Sequence, residues 1–324
     1  MPLFSLDQLA AAATIVRPVV PPTAAYAWPL LAKRTGVEVV VKHENHTPIG
    51  AFKLRGGLVY MDTLLRAAAR PNGVVTATRG NHGQSIALAA ARAGIAAVIV
   101  IPQGNSPEKN AAMEAFGAEL LTAGKDFDES RLIAADIVRQ RGYHFVPSFH
   151  RELVRGVATY AQELFASFSD LDAVYVPIGM GSGICGLITV RDLLGLKTEI
   201  VGVVAAAAPA FALSFAAGHT VPTNSARTFA DGMACRDPPA EPLEIIKKGA
   251  ARIVQVSEDE IAEAIRLYHT ATHNLAEGAG AAPLAALMKE SARYAGKRVG
   301  LILSGGNIDM PVLAQVFCGR TPAV

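Results

Sequence analysis

Lys53 stands in the string Thr47-Pro-Ile-Gly-Ala-Phe-Lys-Leu-Arg-Gly-Gly57, directly after an aromatic residue and a small-residue turn. The apolar run VEVVVKHE at 37–44 lies just upstream, so the amine can be drawn out of water. Lost solvation disfavours the ammonium, lowers its pKa and leaves a nucleophile or Schiff-base former. Taken alone, a lysine is ordinarily a solvated surface residue, and only its surroundings can overturn that reading.

Three Gly-bearing turns supply the surroundings. Pro177-Ile-Gly-Met-Gly-Ser-Gly-Ile-Cys-Gly186 places four glycines in eight positions after an apolar run. Such a turn lets successive backbone N–H groups cradle a phosphate, above all where a helix N-terminus follows. Leu303-Ser-Gly-Gly-Asn-Ile-Asp309 offers the hydroxyl of Ser304 on a second turn, although a plain strand-to-helix turn would read the same. Thr78-Arg-Gly-Asn-His-Gly-Gln-Ser85 offers an amide, an imidazole and several backbone donors, suited to an aromatic hydroxyl and a carboxylate.

The elements that must position these residues alternate along the chain. β-Branched runs at 37–44, 73–78, 96–102, 172–179, 199–205 and 298–306 are separated by Ala-rich stretches, which predicts an α/β architecture with parallel strands. The runs are apolar throughout, as expected of strands covered by helices on both faces. SIALAAARAG (85–94) and SPEKNAAMEAFGAELL (106–121) carry helical spacing, with Gly94 and Gly117 as C-terminal caps. The three turns each follow a β-like run, and in an open α/β sheet ligands gather at the carboxyl ends of strands, so one shared pocket is expected.

Composition narrows the function further. Thirty basic against 28 acidic side chains leave a formal charge of +2, and no Lys/Arg run exceeds two residues, which points away from nucleic acid and from a polybasic membrane contact. Cys185, Cys235 and Cys318 lack C-x-x-C spacing, so neither a disulfide framework nor a zinc ribbon is expected, and a reducing cytoplasm is the default. No signal peptide or membrane span is read in the chain.

Together and in this order, the four motifs resemble the fold-type II pyridoxal-phosphate enzymes, specifically the threonine dehydratase and serine racemase branch. The resemblance runs from Thr-Ala-Ala-Tyr-Ala-Trp-Pro-Leu at 23–30 to Asp309 and includes Phe229-Ala-Asp-Gly232 and Glu277-Gly-Ala-Gly280. It implies a tryptophan synthase β-like fold with a small domain at 51–147 and a large cofactor domain made of 1–50 with 148–324. It also implies that Lys53 holds pyridoxal 5′-phosphate as a Schiff base beside Phe52. Gly179, Met180, Gly181, Ser182 and Gly183 would then hold the 5′-phosphate, Asn81 the ring hydroxyl, and Ser304 would face the pyridine nitrogen with Glu277 near the ring. Thr78, Arg79, Gly80, His82 and Phe149 would contact an amino acid substrate, and a homodimer is implied.

The implied reaction is dehydration and deamination of a β-hydroxy amino acid, with threonine, serine, phenylserine and 3-hydroxyaspartate all open. A neutral serine at the pyridine nitrogen favours loss of a β-leaving group over transamination. Racemases of the branch carry a serine where this chain has Arg79, which argues against racemisation. Arg79 is then either a salt-bridged structural residue or a contact to the substrate. Val204, Ala208 and Ala210 cannot supply the oxygen ligands of a divalent cation, so no metal is expected there. The pairs His43/His46 and His269/His273 lack a third ligand and read as structural. Two rival readings stand beside this one. Gly181, Gly183 and Gly186 spell the dinucleotide fingerprint of a nicotinamide oxidoreductase, but no acidic residue follows at the required distance. A non-catalytic pyridoxal-phosphate carrier or amino-acid sensor would keep the phosphate turn and could dispense with Lys53.

Overall fold

The apolar runs form the strands of two sheets in a computed structural model that describes residues 2–125 and 127–323. The strands are β1 (Ala25–Ala27), β2 (Glu38–His43), β3 (Gly73–Ala77), β4 (Ala96–Ile101) and β5 (Glu119–Thr122), followed by β6 (His144–Phe145), β7 (Ala173–Pro177), β8 (Glu199–Ala205), β9 (Arg252–Val256) and β10 (Arg298–Leu303). One sheet has the order β1-β2-β10-β7-β8-β9 and the other β5-β4-β3-β6. Every pairing is parallel except β1 with β2.

Uniform hydrophobicity along the strands has the expected cause. On β7, Tyr175 joins the core on one face while Val174 and Val176 join the core on the other. On β4, Ala97, Ile99 and Ile101 point to one side and Val98 and Val100 to the opposite one. Fully burying each such side chain stabilises by roughly 1.5–3 kcal/mol, which makes these parallel strands the most strongly specified part of the chain. The helix Leu6–Val16, started by a capping box at Ser5, packs Leu9 into a core of the larger sheet and Ala12 and Val16 into one of the smaller.

One expectation is corrected. The stretch 106–121 is a helix only over Pro107–Ala115, capped by Phe116. Gly117 then turns at φ 89°, and Glu119–Thr122 leaves as β5, paired in parallel with β4. The apolar spacing that suggested one long helix is the sum of a helix face and a short edge strand on either side of a left-handed glycine. Among the described residues, no helix is long and apolar enough to cross a membrane.

Candidate active site

Lys53 is the first residue of the helix Lys53–Arg66, and its position is fixed from three sides. Ala51 bridges antiparallel to Gly305, the Phe52 amide donates to the Ser304 carbonyl at 3.0 Å, and Gly306 donates to Gly50 at 2.9 Å. These bonds tie the lysine turn to the turn after β10. The Lys53 carbonyl accepts the Ser85 hydroxyl at 2.8 Å. Two residues on, Arg55 is fully buried and donates to Glu44 at 2.7 Å and to Glu163 at 2.7 and 2.8 Å; Lys42 reaches the same Glu163 at 2.6 Å. Buried charges with every partner in place hold geometry well, because losing any one of them strands another.

The Lys53 amine donates to Ser182 Oγ at 3.1 Å and lies 4.9 Å over the Phe52 ring. Burial pulls its pKa down to about 8. The positive end of its own helix acts in the same direction. About a tenth of this lysine is therefore neutral amine at pH 7, far more than of an ordinary solvated lysine.

Beyond β7, the turn 178–183 enters the helix Ser182–Leu193, whose first turn holds no acidic residue. Gly181 has φ 93°, the left-handed region. A Cβ at Gly179 would stand 2.2 Å from the Gly232 carbonyl oxygen, so the backbone here is packed too closely for any side chain. The result is a cradle of N–H groups at a helix N-terminus, a natural anion site.

The third wall starts with Asn81, first residue of the helix Asn81–Ala93. Its amide donates to Glu277 Oε1 at 2.7 Å and its carbonyl accepts from Asn307 at 2.8 Å. Glu277 meets Lys109 at 3.3 Å, and Lys109 also reaches Asp231 at 2.6 Å. Burial pushes the Glu277 carboxyl up against the opposing pull of Lys109. Burial likewise opposes the charge on Lys109, but Asp231 and Glu277 together hold its pKa above the usual lysine value. His82 is held down at about 3 by burial and then by Lys53, so it is neutral, and its Nε2 has no hydrogen-bond partner.

All of Phe52, Lys53, Thr78, Arg79, Gly80, Asn81, His82, Gly179, Met180, Gly181, Ser182, Gly183, Glu277 and Ser304 line a single cavity of about 120 Å³. It adjoins a larger one of about 1020 Å³, whose wall includes Phe149 together with Phe127 and Phe145. His150 is turned away: it caps the helix Arg151–Val157 and packs edge-on against Tyr60. Sequence reasoning missed Lys109 and gave Asp231 no role. The available signal was the position of Lys109 in the first turn of a helix that follows a strand end, the same placement that marks Asn81.

A family model described as "Pyridoxal-phosphate dependent enzyme" matches residues 16–305. The chain is 36% identical over 286 residues to L-threonine ammonia-lyase of Geobacter sulfurreducens, covering 88% of this chain and 71% of that protein. It is 30% identical over 292 residues to L-threo-3-hydroxyaspartate ammonia-lyase of Saccharomyces cerevisiae, covering 90% and 89%. Among solved structures it is similar to the processed form of threonine deaminase isoform 2 from Solanum lycopersicum, with a TM-score of 0.88, 30% identity, and coverage of 97% of this chain and 88% of that one.

Proposed function

Because the chain belongs to the pyridoxal-phosphate dependent enzyme family, we propose that it removes water and then ammonia from a β-hydroxy amino acid, releasing a 2-oxo acid. The observation that carries this reading is Lys53, a buried lysine with its pKa lowered to about 8, in one cavity with the glycine-rich turn 179–183 at a helix N-terminus. The ammonia-lyase names of the relatives support the same class of reaction.

The residues fit the cofactor on grounds of their own chemistry. The turn 179–183 leaves no space for a Cβ at Gly179 and presents N–H donors to a phosphate. Phe52 gives a flat apolar surface, Asn81 an amide for a ring hydroxyl, and Ser304 a buried neutral hydroxyl for a ring nitrogen. Lys53 is the only lysine of the lining whose charge no carboxylate stabilises, so it is the amine that would hold the aldehyde.

When bound, the cofactor supplies an electron sink next to the substrate Cα. The backbone N–H groups of 81–83, at the start of the Asn81–Ala93 helix, receive the α-carboxylate and orient the Cα–H bond, the Gly80 N–H being held by the Thr78 hydroxyl at 3.0 Å. Lys53, as a free amine, takes the Cα proton. The electron pair left at Cα forms a double bond to Cβ as the Cβ–O bond breaks, and the hydroxyl takes the proton that Lys53 received from Cα and leaves as water. Ser304 would face the ring nitrogen with a neutral hydroxyl, which, unlike a carboxylate, would not favour a proton there, and so would favour loss of the β-hydroxyl over transamination. The released enamine takes up water, giving the 2-oxo acid and ammonia.

The test is a visible absorbance spectrum of the purified protein, followed by assay of 2-oxo acid and ammonia with L- and D-β-hydroxy amino acids. A coloured protein whose band shifts with one substrate and that yields both products in equal amounts is the expected result. A protein that stays colourless after incubation with pyridoxal phosphate would overturn the proposal.

A further inference from the structure

Arg79 is exposed at the point where the two cavities meet and lines both of them. Among the described residues it makes no hydrogen bond and no ion pair. The reading of Arg79 as a salt-bridged structural residue therefore finds no partner among the described residues. The other charges of the inner cavity are accounted for: Lys109 is held by Asp231 and Glu277, His82 is neutral, and Lys53 is drawn toward its neutral form. Within the lining of that inner cavity Arg79 is the permanent positive charge without a partner among the described residues, whereas Arg131 and Arg227 line only the larger cavity.

We infer that Arg79 selects substrates that carry a second carboxylate on the β-carbon, so that the enzyme prefers β-hydroxy dicarboxylic amino acids. The inference rests on the elimination chemistry proposed above and refines its substrate. On that reading the first carboxylate takes the backbone N–H groups that open the Asn81–Ala93 helix. The guanidinium precedes that helix by two residues, at the border of the space a β-substituent would enter. A planar five-donor fork matches a carboxylate in two parallel hydrogen bonds, which neither a methyl nor a phenyl group can accept. Phe127, Phe145 and Phe149 on the outer wall would instead serve an aryl substituent, and that substrate is the rival outcome.

Two measurements on the holoenzyme decide between them. The first compares kcat/KM for the stereoisomers of 3-hydroxyaspartate with kcat/KM for threonine, serine and phenylserine, in the wild type, Arg79→Gln and Arg79→Lys. The expected result is a wild-type preference for 3-hydroxyaspartate, and in Arg79→Gln a fall in that preference on the order of 10- to 100-fold, carried mainly by KM, with partial rescue in Arg79→Lys. An equal loss for all substrates would place Arg79 on the α-carboxylate, and a wild-type preference for phenylserine or threonine would overturn the inference outright. The second titrates L-malate and L-lactate, which differ by one carboxylate and lack the reacting amine. Malate should bind at least about tenfold more tightly than lactate, and Arg79→Gln should abolish the difference; equal binding in the wild type overturns the inference. If no β-hydroxy amino acid is turned over, the elimination reading falls, and the malate–lactate comparison still decides the role of Arg79.

Discussion

Lys109 Nζ lies 3.3 Å from Glu277 Oε2, joining a helix that follows the smaller sheet's β4 to the residue that caps the helix Gly278–Glu290 behind the larger sheet. Around that contact, Ser106 meets Asp309 at 2.5 Å and Glu108 accepts from the Met310 amide at 2.7 Å. The two halves are thus held together on the same side of the cavity as Asn81. Lys109→Met would leave Glu277 buried beside Asp231 with no counter-charge. Removing one partner of a buried pair costs about 3–5 kcal/mol, so urea unfolding should show a loss of that order. Glu277→Gln added to Lys109→Met should recover part of it, and strictly additive effects would mean the pair is not coupled.

Lys53→Ala should abolish turnover by at least about 1000-fold, since both the anchor and the proposed base are lost. Folding should survive, because among the described residues the Lys53 amine forms no ion pair and meets only the Ser182 hydroxyl and the Phe52 ring. In the wild type, borohydride reduction after incubation with pyridoxal phosphate should label Lys53, as read by peptide mass spectrometry. The initial rate of labelling should rise with pH with a midpoint near about 8, where the amine loses its proton. Labelling spread over surface lysines, or a midpoint at the ordinary lysine value, would remove Lys53 from the role.

What sequence reasoning reached and what it missed divide along locality. Strands such as β7 and β8 were legible because burial on both faces writes an unbroken apolar run. The turns at 78–83, 178–183 and 304–307 were legible because glycines and polar residues directly follow those runs. β1, β5, β6 and β9 were not: β1 is three residues and mostly exposed, β6 is two residues long, β5 is largely exposed, and β9 interleaves Arg252 and Gln255 with its apolar residues. These strands exist because a neighbour's edge offers pairing, which no local pattern records. Lys109 escaped for a related reason. Its two carboxylate partners lie 122 and 168 residues away, and only the folded sheets bring them within reach.

Gly179→Ala tests the cradle. The new methyl would overlap the Gly232 carbonyl, which is backbone and cannot rotate away, so the turn must shift. Overpacking of this kind costs about 1–3 kcal/mol, and the shift should also misalign the N–H donors. Pyridoxal phosphate affinity, measured by fluorescence titration, should fall on the order of tenfold or more. Equal affinities in the wild type and Gly179→Ala would mean the phosphate sits elsewhere.

His82 should make the cofactor-free protein sensitive to acid. Its folded pKa is about 3 and its unfolded value about 6.5, so the unfolded chain binds the proton first as pH falls. Stability must then decrease from near pH 6.5 downward, and this one residue contributes a loss of about 2 kcal/mol by about pH 5. The sign follows from burial: the fold excludes the charged imidazole, and water in the unfolded state does not. His82→Gln keeps a polar amide at the site and has no proton to gain, so its stability should fall less steeply between about pH 7 and 5. The gap between the two proteins, measured by urea unfolding at each pH, should therefore shift in favour of the variant by about 2 kcal/mol. Parallel curves would mean that His82 gains its proton as readily inside the fold as outside, and that its unpartnered Nε2 is open to water.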